Sequence, residues 1–419
     1  MSETIVHGTT PAAARPRHAL RRRLRLLAGL AALVLLAAGL WTWHINWGDG
    51  IDLAAADEPA PTADRIARGE ALARAGNCMA CHTARGGAPW AGGRGIATPF
   101  GTVMAGNLTP DPDTGLGRWN AAAFRRALHH GRSLDGRLLY PAFPYEHTTR
   151  IAREDVDALW VYLRSLPPVV QAAPPHALRW PYNQPWALAV WRALYFRPGR
   201  HIDDPAQSTA HNRGAYLVQG LAHCAACHAP RDAWGGSEAA DALRGGRMPG
   251  HAWYAPSLRD PSEAGLQRWT QDEVVRWLRD GSSERARASG PMAEVVLHGT
   301  QHLSDADLQA MATYLRSLPE DPPRKASGPV PVPVPVDVAR RGAAVYEKHC
   351  VDCHGERGEG RDGFPALAGN RAVTMADTTN LVQAVLHGGY PPATRGQPRP
   401  LGMPPFVLRL DDRDIAAVL

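Results

Sequence analysis

The chain has 419 residues and a mass of 45.2 kDa, long enough for several domains. Hydrophobic residues at 44% and charged residues at 21% exclude a disordered chain, while 41 glycines and 37 prolines demand extensive loops. The net charge of +6 is no argument for a nucleic-acid partner. Arg15, Arg17, Arg21, Arg22, Arg23 and Arg25 stand against Glu3 in the first 25 residues, and the remainder is close to neutral.

Residues 1–25 are read as a basic cytoplasmic segment and residues 26–48 as a transmembrane anchor. Leu26 to Gly48 carries no Asp, Glu, Lys or Arg. As a helix it would span about 35 Å, against a hydrocarbon core of about 30 Å. Arginines at one end and Trp41, Trp43 and Trp47 at the other predict the N-terminus inside and the rest of the chain outside. A cleaved signal segment is the alternative, since Leu53-Ala54-Ala55-Ala56 offers small residues. Its apolar core would be unusually long, because such cores run about 7–15 residues. Either way, the chain beyond residue 50 is expected to be exported.

All six cysteines fall in three copies of one pattern. These are Cys78-Met79-Ala80-Cys81-His82, Cys224-Ala225-Ala226-Cys227-His228 and Cys350-Val351-Asp352-Cys353-His354. Two thiols a helical turn apart can each add to a porphyrin vinyl group, and the adjoining histidine then ligates the iron. A thioredoxin-like pair needs no histidine, and a zinc site would bring two pairs together in sequence. The expectation is three covalent haem c groups, with His82, His228 and His354 as proximal ligands.

The surroundings repeat too. Arg68-Gly69, Arg213-Gly214 and Arg341-Gly342 precede the three motifs, each within a short helical pattern. After each motif comes a loop-rich stretch and a closing helix, beginning at Glu154-Asp155, Asp305-Ala306-Asp307 and Asp411-Asp412-Arg413-Asp414. Acids in the first turn, with arginine and proline at the end of the first two, are helix start and stop signals. The third copy is shorter than the others and reads as truncated. The divisions are 62–170, 205–320 and 337–419 for three small helical haem domains. An aromatic linker occupies 171–204 and a Pro/Val linker 321–336, the latter suited to polyproline II.

An electron-transfer haem is commonly closed by methionine on its far side. Met292 in Gly290-Pro291-Met292 and Met403 in Gly402-Met403-Pro404-Pro405 stand ahead of the second and third closing helices. The first unit has Phe143 there instead. Its iron is open, bound by His147 four residues on, or bound by Met104 upstream, with His147 the first choice. Either His ligation or an open site lowers that potential relative to the other two.

Two other stretches stand out. Trp180 to Phe196 is unusually aromatic and is read as packing between haem domains, as an interfacial helix, or as a dock for another subunit. Asp111-Pro112-Asp113-Thr114-Gly115 resembles a calcium loop, but Ala122 stands where the bidentate acid belongs, so a turn is expected. There is no phosphate-binding glycine loop or nucleophile elbow.

With these residues in view, the chain resembles the triple-haem cytochrome c subunits of membrane-bound bacterial dehydrogenases for alcohol, gluconate and aldehyde. The likeness includes Thr98-Pro99-Phe100-Gly101, Asn107-Leu108-Thr109-Pro110-Asp111, Cys227-His228-Ala229-Pro230-Arg231 and Pro291-Met292-Ala293-Glu294-Val295-Val296. The resemblance implies an all-α fold of three tandem class I cytochrome c domains behind an N-terminal transmembrane helix. It also implies the bacterial inner membrane, with haem domains on the periplasmic side. Pro141-Ala142-Phe143-Pro144-Tyr145 followed by His147 looks more like subunits paired with molybdenum hydroxylases for aldehydes or N-heterocycles. The implied partners are a molybdopterin or quinoprotein dehydrogenase subunit, a small iron–sulfur subunit, and quinone or an oxidase as acceptor. The implied role is an electron relay with no catalytic residue of its own. The competing readings are a haem peroxidase or reductase with an open first site, and a subunit of a terminal oxidase.

Overall fold

The computed structural model describes residues 17–48, 50–54, 57–322, 333–361 and 363–419, with side chains from residue 21 onward. Residues 1–16 of the basic segment and residues 323–332 of the Pro/Val stretch lie outside the described residues. The longer helices are α1 (Arg17–Trp47), α2 (Ala63–Ala75), α3 (Ala121–His130), α4 (Arg153–Arg164), α5 (Pro185–Tyr195) and α6 (Thr209–Tyr216). They continue with α7 (Gln271–Asp280), α8 (Gly290–His298), α9 (Asp305–Ser317), α10 (Val336–His349), α11 (Thr379–His387) and α12 (Asp412–Val418).

Three crossed helix pairs organise the chain: α2 with α4, α6 with α9, and α10 with α12. The closing member of each begins on acidic residues, as the sequence predicts. Ser304 and Asp411 cap α9 and α12 by accepting from the Asp307 and Asp414 amides. The repeated Arg-Gly dipeptide acts at these crossings. A Cβ added to Gly69 would lie 2.0 Å from the Ala158 carbonyl oxygen, and one on Gly214 would lie 2.0 Å from that of Ala310. On Gly342 it would be 2.1 Å from the Ala417 oxygen. Backbone meets backbone there, which only glycine permits. The preceding arginine then reaches the first turn of the same closing helix. Arg68 Nε donates to Asp155 at 2.7 Å, Arg213 Nε to Asp307 at 2.8 Å and Arg341 Nε to Asp414 at 2.6 Å.

The fold is mainly helical but departs from all-α. Strands β1 (Gly95–Thr98), β2 (Gly101–Met104) and β3 (Ala177–Leu178) form an antiparallel sheet. Its register pairs Ile96 with Val103 and Gly101 with Leu178. The short strands β4 (Gly246–Arg247) and β5 (Tyr254–Ala255) form a second sheet. Because β3 belongs to the stretch read as a linker, that segment is stitched back onto the region around the first motif.

The first two motif regions share one hydrophobic core, with Leu72, Leu159, Val218, Leu308 and Met311 in a single buried cluster. The third attaches to the second by polar contacts. Asn380 accepts from the Tyr254 amide at 3.0 Å and donates to its carbonyl at 2.7 Å. Thr394 Oγ1 donates to Asp280 at 3.3 Å.

Helix α1 starts earlier than the apolar run, at Arg17, so part of the arginine cluster lies on its first turns. Over Arg21–Trp47 it is long and apolar enough to cross a membrane, with a mean hydropathy of 2.1 in its apolar window. Its far end is clamped to α5. Trp41 Nε1 donates to the Ala193 carbonyl at 2.9 Å, and Asn46 Nδ2 to that of Ala189 at 3.0 Å. Arg192, 0% exposed, donates to Asn46 Oδ1 at 2.7 Å and to the His130 carbonyl at 2.6 Å. Its guanidinium also lies over the rings of Tyr145 and Phe196.

Gly69→Ala and Gly214→Ala are each expected to destabilise the protein by about 1–3 kcal/mol through overpacking at a backbone crossing. Chemical denaturation of the haem-loaded protein checks this, and wild-type midpoints in both variants would refute the crossing argument.

Candidate haem sites

Each motif occupies a tight helical turn soon after its first helix, with a π-helical turn, Leu217–Leu221, intervening in the second region. The motif turns are Cys78–Cys81, Ala225–His228 with Cys224 as N-cap, and Val351–His354 with Cys350 as N-cap. The residue before the first cysteine is left-handed in two of them, Asn77 at φ 49° and His223 at φ 38°. This reversal brings the chain out of the preceding helix and straight into the thiol-bearing turn.

The three motif histidines are held alike. His82 Nδ1 lies 2.7 Å from the Gly106 carbonyl, His228 Nδ1 2.7 Å from that of Pro256, and His354 Nδ1 2.9 Å from that of Pro365. A carbonyl can only accept, so Nδ1 carries the proton and Nε2 keeps its lone pair. Burial lowers the affinity of His82 and His228 for a further proton, opposed in part by the same carbonyl bonds. Neutral imidazoles with Nε2 free are the form that binds iron.

The thiols are also environment-controlled. Burial pushes Cys78 and Cys224 up to about 12, and raises Cys81, Cys227 and Cys350 as well. They are held as thiols, not thiolates, and the described residues contain no cluster of three or more His, Cys, Asp or Glu arranged for a metal ion. The residues present therefore fit a covalently attached haem better than a thiolate metal site.

Met292 lies half-buried at the start of α8, ahead of α9. Met403 lies half-buried ahead of α12, its backbone paired both ways with Gly389 at 2.8 and 3.0 Å. Phe143 packs against the shared core. Met104 ends β2, beside Gly95, with its amide donating to His176 Nδ1 at 3.1 Å. His147 is elsewhere, in the turn Tyr145–Thr148, with Nδ1 3.2 Å from the Gln219 carbonyl. Burial first, then neighbouring His223, pushes it down to about 3. Thr148 donates to the Leu128 carbonyl at 2.6 Å as Thr300 donates to that of Leu278 at 2.5 Å. His147 thus occupies the place taken by Gly299 in the second region.

The first two motif turns stand back to back. His223 Nε2 lies 3.2 Å from the Gly76 carbonyl, and Cys81 is near enough to contribute to the shift at Cys227. Arg94 donates to the Ala80 carbonyl at 2.6 Å, and Arg231 donates to that of Ala226 at 2.9 Å. Each arginine fastens the third position of its own C-x-x-C turn. Arg94 also bridges to Glu294 of the second region at 3.2 Å. Sequence reading missed these roles, although Arg231 stands in Cys-His-Ala-Pro-Arg. Asp111 accepts from the Thr114 amide and hydroxyl at 2.7 Å each, so the turn expected at this stretch is an Asx turn.

A cysteine pair on one turn, next to a neutral imidazole with Nε2 directed by a backbone acceptor, defines a c-type cytochrome. Comparison with known proteins agrees. Residues 66–167, 212–319 and 339–419 match the cytochrome c family. The cytochrome c subunit of a quinone-dependent alcohol dehydrogenase from Gluconobacter oxydans is 38% identical over 372 residues, covering 84% of this chain and 77% of that one. The gluconate 2-dehydrogenase cytochrome c subunit of Pantoea cypripedii is 38% identical over 397 residues, covering 87% and 86%. A nicotinate dehydrogenase subunit of Pseudomonas putida is 42% identical over 361 residues. That match covers 85% of this chain but only 30% of the relative, so this chain spans less than a third of its length. The chain belongs to the cytochrome c family, among the cytochrome c subunits of bacterial dehydrogenases.

His129 offers a pH test of the loop that carries His147. Its Nε2 lies 2.9 Å from the Ile151 carbonyl, and burial pushes it down to about 4. The unfolded chain binds this proton near pH 6.5, so stability is full above that value and falls as pH drops toward 4. Denaturation midpoints at pH 7.5 and pH 5 should show the loss, and His129→Gln should reduce it by one group's share, since His147 and His223 are lowered by burial over the same range. An unchanged slope would remove His129 as the cause.

Proposed function

We propose that this protein is the electron-transfer subunit of a membrane-bound dehydrogenase complex, carrying three haem c groups. The observation that carries this reading is the common setting of His82, His228 and His354, each following a cysteine pair and each directed through Nδ1 by a backbone carbonyl. Haem c, when bound, supplies one-electron chemistry. The chain's own part is to hold three such groups, choose their ligands and keep the first two motifs close together. Cys78, Cys81, Cys224, Cys227, Cys350 and Cys353 make the covalent attachments, and Met292 and Met403 complete the second and third sites. None of these residues needs to act as acid, base or nucleophile.

For the first site the proposed sixth ligand is His147, with Met104 as the alternative. His147 shares two features with His82 and His228: burial lowers its affinity for a second proton, and its Nδ1 lies on a backbone carbonyl. An imidazole in place of methionine lowers a haem potential. The proposed topology has the N-terminal arginines in the cytoplasm and the haem regions in the periplasm. The proposed donor is a molybdopterin or quinoprotein subunit acting on an alcohol, aldehyde or N-heterocycle, with a small iron–sulfur subunit in the former case. Electrons leave to quinone or an oxidase.

Solubilisation in mild detergent, capture of this chain and mass spectrometry of what accompanies it test the relay. A co-purifying dehydrogenase subunit is expected. Isolation alone, with a high-spin first haem that binds cyanide, would transfer support to a haem enzyme.

Ligand assignments are checked by redox titration of variants that retain three haems. Met292→Ala and Met403→Ala should each shift one potential and slow turnover of the complex. Loss of the low-spin electron paramagnetic resonance signal of one haem is expected in His147→Ala, and a raised potential in His147→Met. Spectra identical to wild type would dismiss His147.

A further inference from the structure

We infer that α5 is a second membrane contact, an interfacial helix whose exposed face lies in the headgroup region of the bilayer. The inference rests on the reading of α1 as the anchor. Helix α5 has two faces of opposite fate. Leu188, Ala189, Arg192 and Ala193 are buried, clamped to α1 and to the first motif region. Trp186 at 59%, Val190 at 48% and Leu194 at 60% exposure recur every four residues, so they form one stripe along the opposite side. Trp180, 75% exposed, precedes the helix. Trp234, 63% exposed, sits beside it, its carbonyl accepting from Trp191 Nε1 at 2.9 Å. An apolar stripe of this kind on a soluble surface marks a binding face.

What covers this stripe follows from its neighbour. The three side-chain bonds between α1 and α5 involve Trp41 and Asn46, at the end of the anchor where Trp41, Trp43 and Trp47 are exposed. Tryptophans at the end of a spanning helix mark the level of the membrane interface. A helix bonded directly to that end is held at the same depth. Its composition suits the place: tryptophan, valine and leucine outward, with exposed Arg179, Arg197 and Arg200 flanking them for lipid phosphates. The guanidinium of Arg197 also lies over the Trp41 ring, 5.4 Å from its centroid. Two contacts instead of one would fix the tilt of the haem regions relative to the membrane, because α5 is locked to the first region through buried Arg192.

The test places the full haem-loaded chain in nanodiscs of phosphatidylcholine and phosphatidylglycerol. A small fraction of the phosphatidylcholine carries a diazirine on an acyl carbon next to the glycerol. After photolysis, adducts are mapped by mass spectrometry. Adducts are expected both in α1 and in residues 180–196. The triple variant Trp186→Ser, Val190→Ser, Leu194→Ser, altered only on the exposed face, should lose labelling of 180–196 by about threefold or more while α1 remains labelled. Labelling of α1 alone in the wild type would overturn the inference and leave the anchor intact. Absence of label in both would overturn the anchor reading and the inference with it. In the purified complex, protein cross-links from residues 186–194 to another subunit in place of lipid adducts would also overturn it.

Discussion

The crossing of two helices without a side chain between them is the constraint on which the rest depends. Gly69, Gly214 and Gly342 each let the opening helix touch the backbone of its closing helix, and the adjacent arginine binds an aspartate in that helix's first turn. Close contact fixes the crossing point, while the ion pair fixes the rotation and register of the closing helix. The haem-motif turn follows soon after the opening helix, and the candidate sixth ligand precedes the closing one. Fixing the pair therefore fixes both ends of a site whose middle is mostly loop.

The ion pairs themselves differ in weight. Asp155 is almost wholly buried and also accepts from the Tyr216 hydroxyl at 2.6 Å, so its partner Arg68 serves a junction between the first two regions. Asp414 is more exposed and its pair with Arg341 stands nearer the surface, where such a bond adds little stability. The third helix pair accordingly relies more on packing at Gly342, and its polar contacts with the second region resemble an ordinary domain contact. The first two regions behave otherwise. They share a core, and their motif turns lie back to back through His223 and Gly76. A shared core holds the two motif turns at a set separation, which the proposed relay requires.

Arg192 is the corresponding constraint at the membrane end. A guanidinium with no solvent exposure is stable only when its donors are satisfied, and here carbonyls, Asn46 and two aromatic faces do so. One residue thereby joins the anchor, the aromatic helix and the loop that carries His147. Removing its charge would loosen all three together.

The sequence by itself determined the chemistry. Three copies of C-x-x-C-H, the apolar run after the arginines and the acid-led closing helices are local patterns, set by covalent spacing, hydropathy and the charge preference of helix ends. The Arg-Gly repeat was visible too, though not its purpose, since the crossing partner lies about 70–100 residues away. The tertiary structure alone decided the small sheets, where β3 returns from the supposed linker to pair with β2. It alone put the first two regions in one core, set His147 against Gln219, and left α5 with one face clamped and one face bare. Those outcomes depend on which distant surfaces fit together after each local element has formed, and residue type at a single position does not encode that fit.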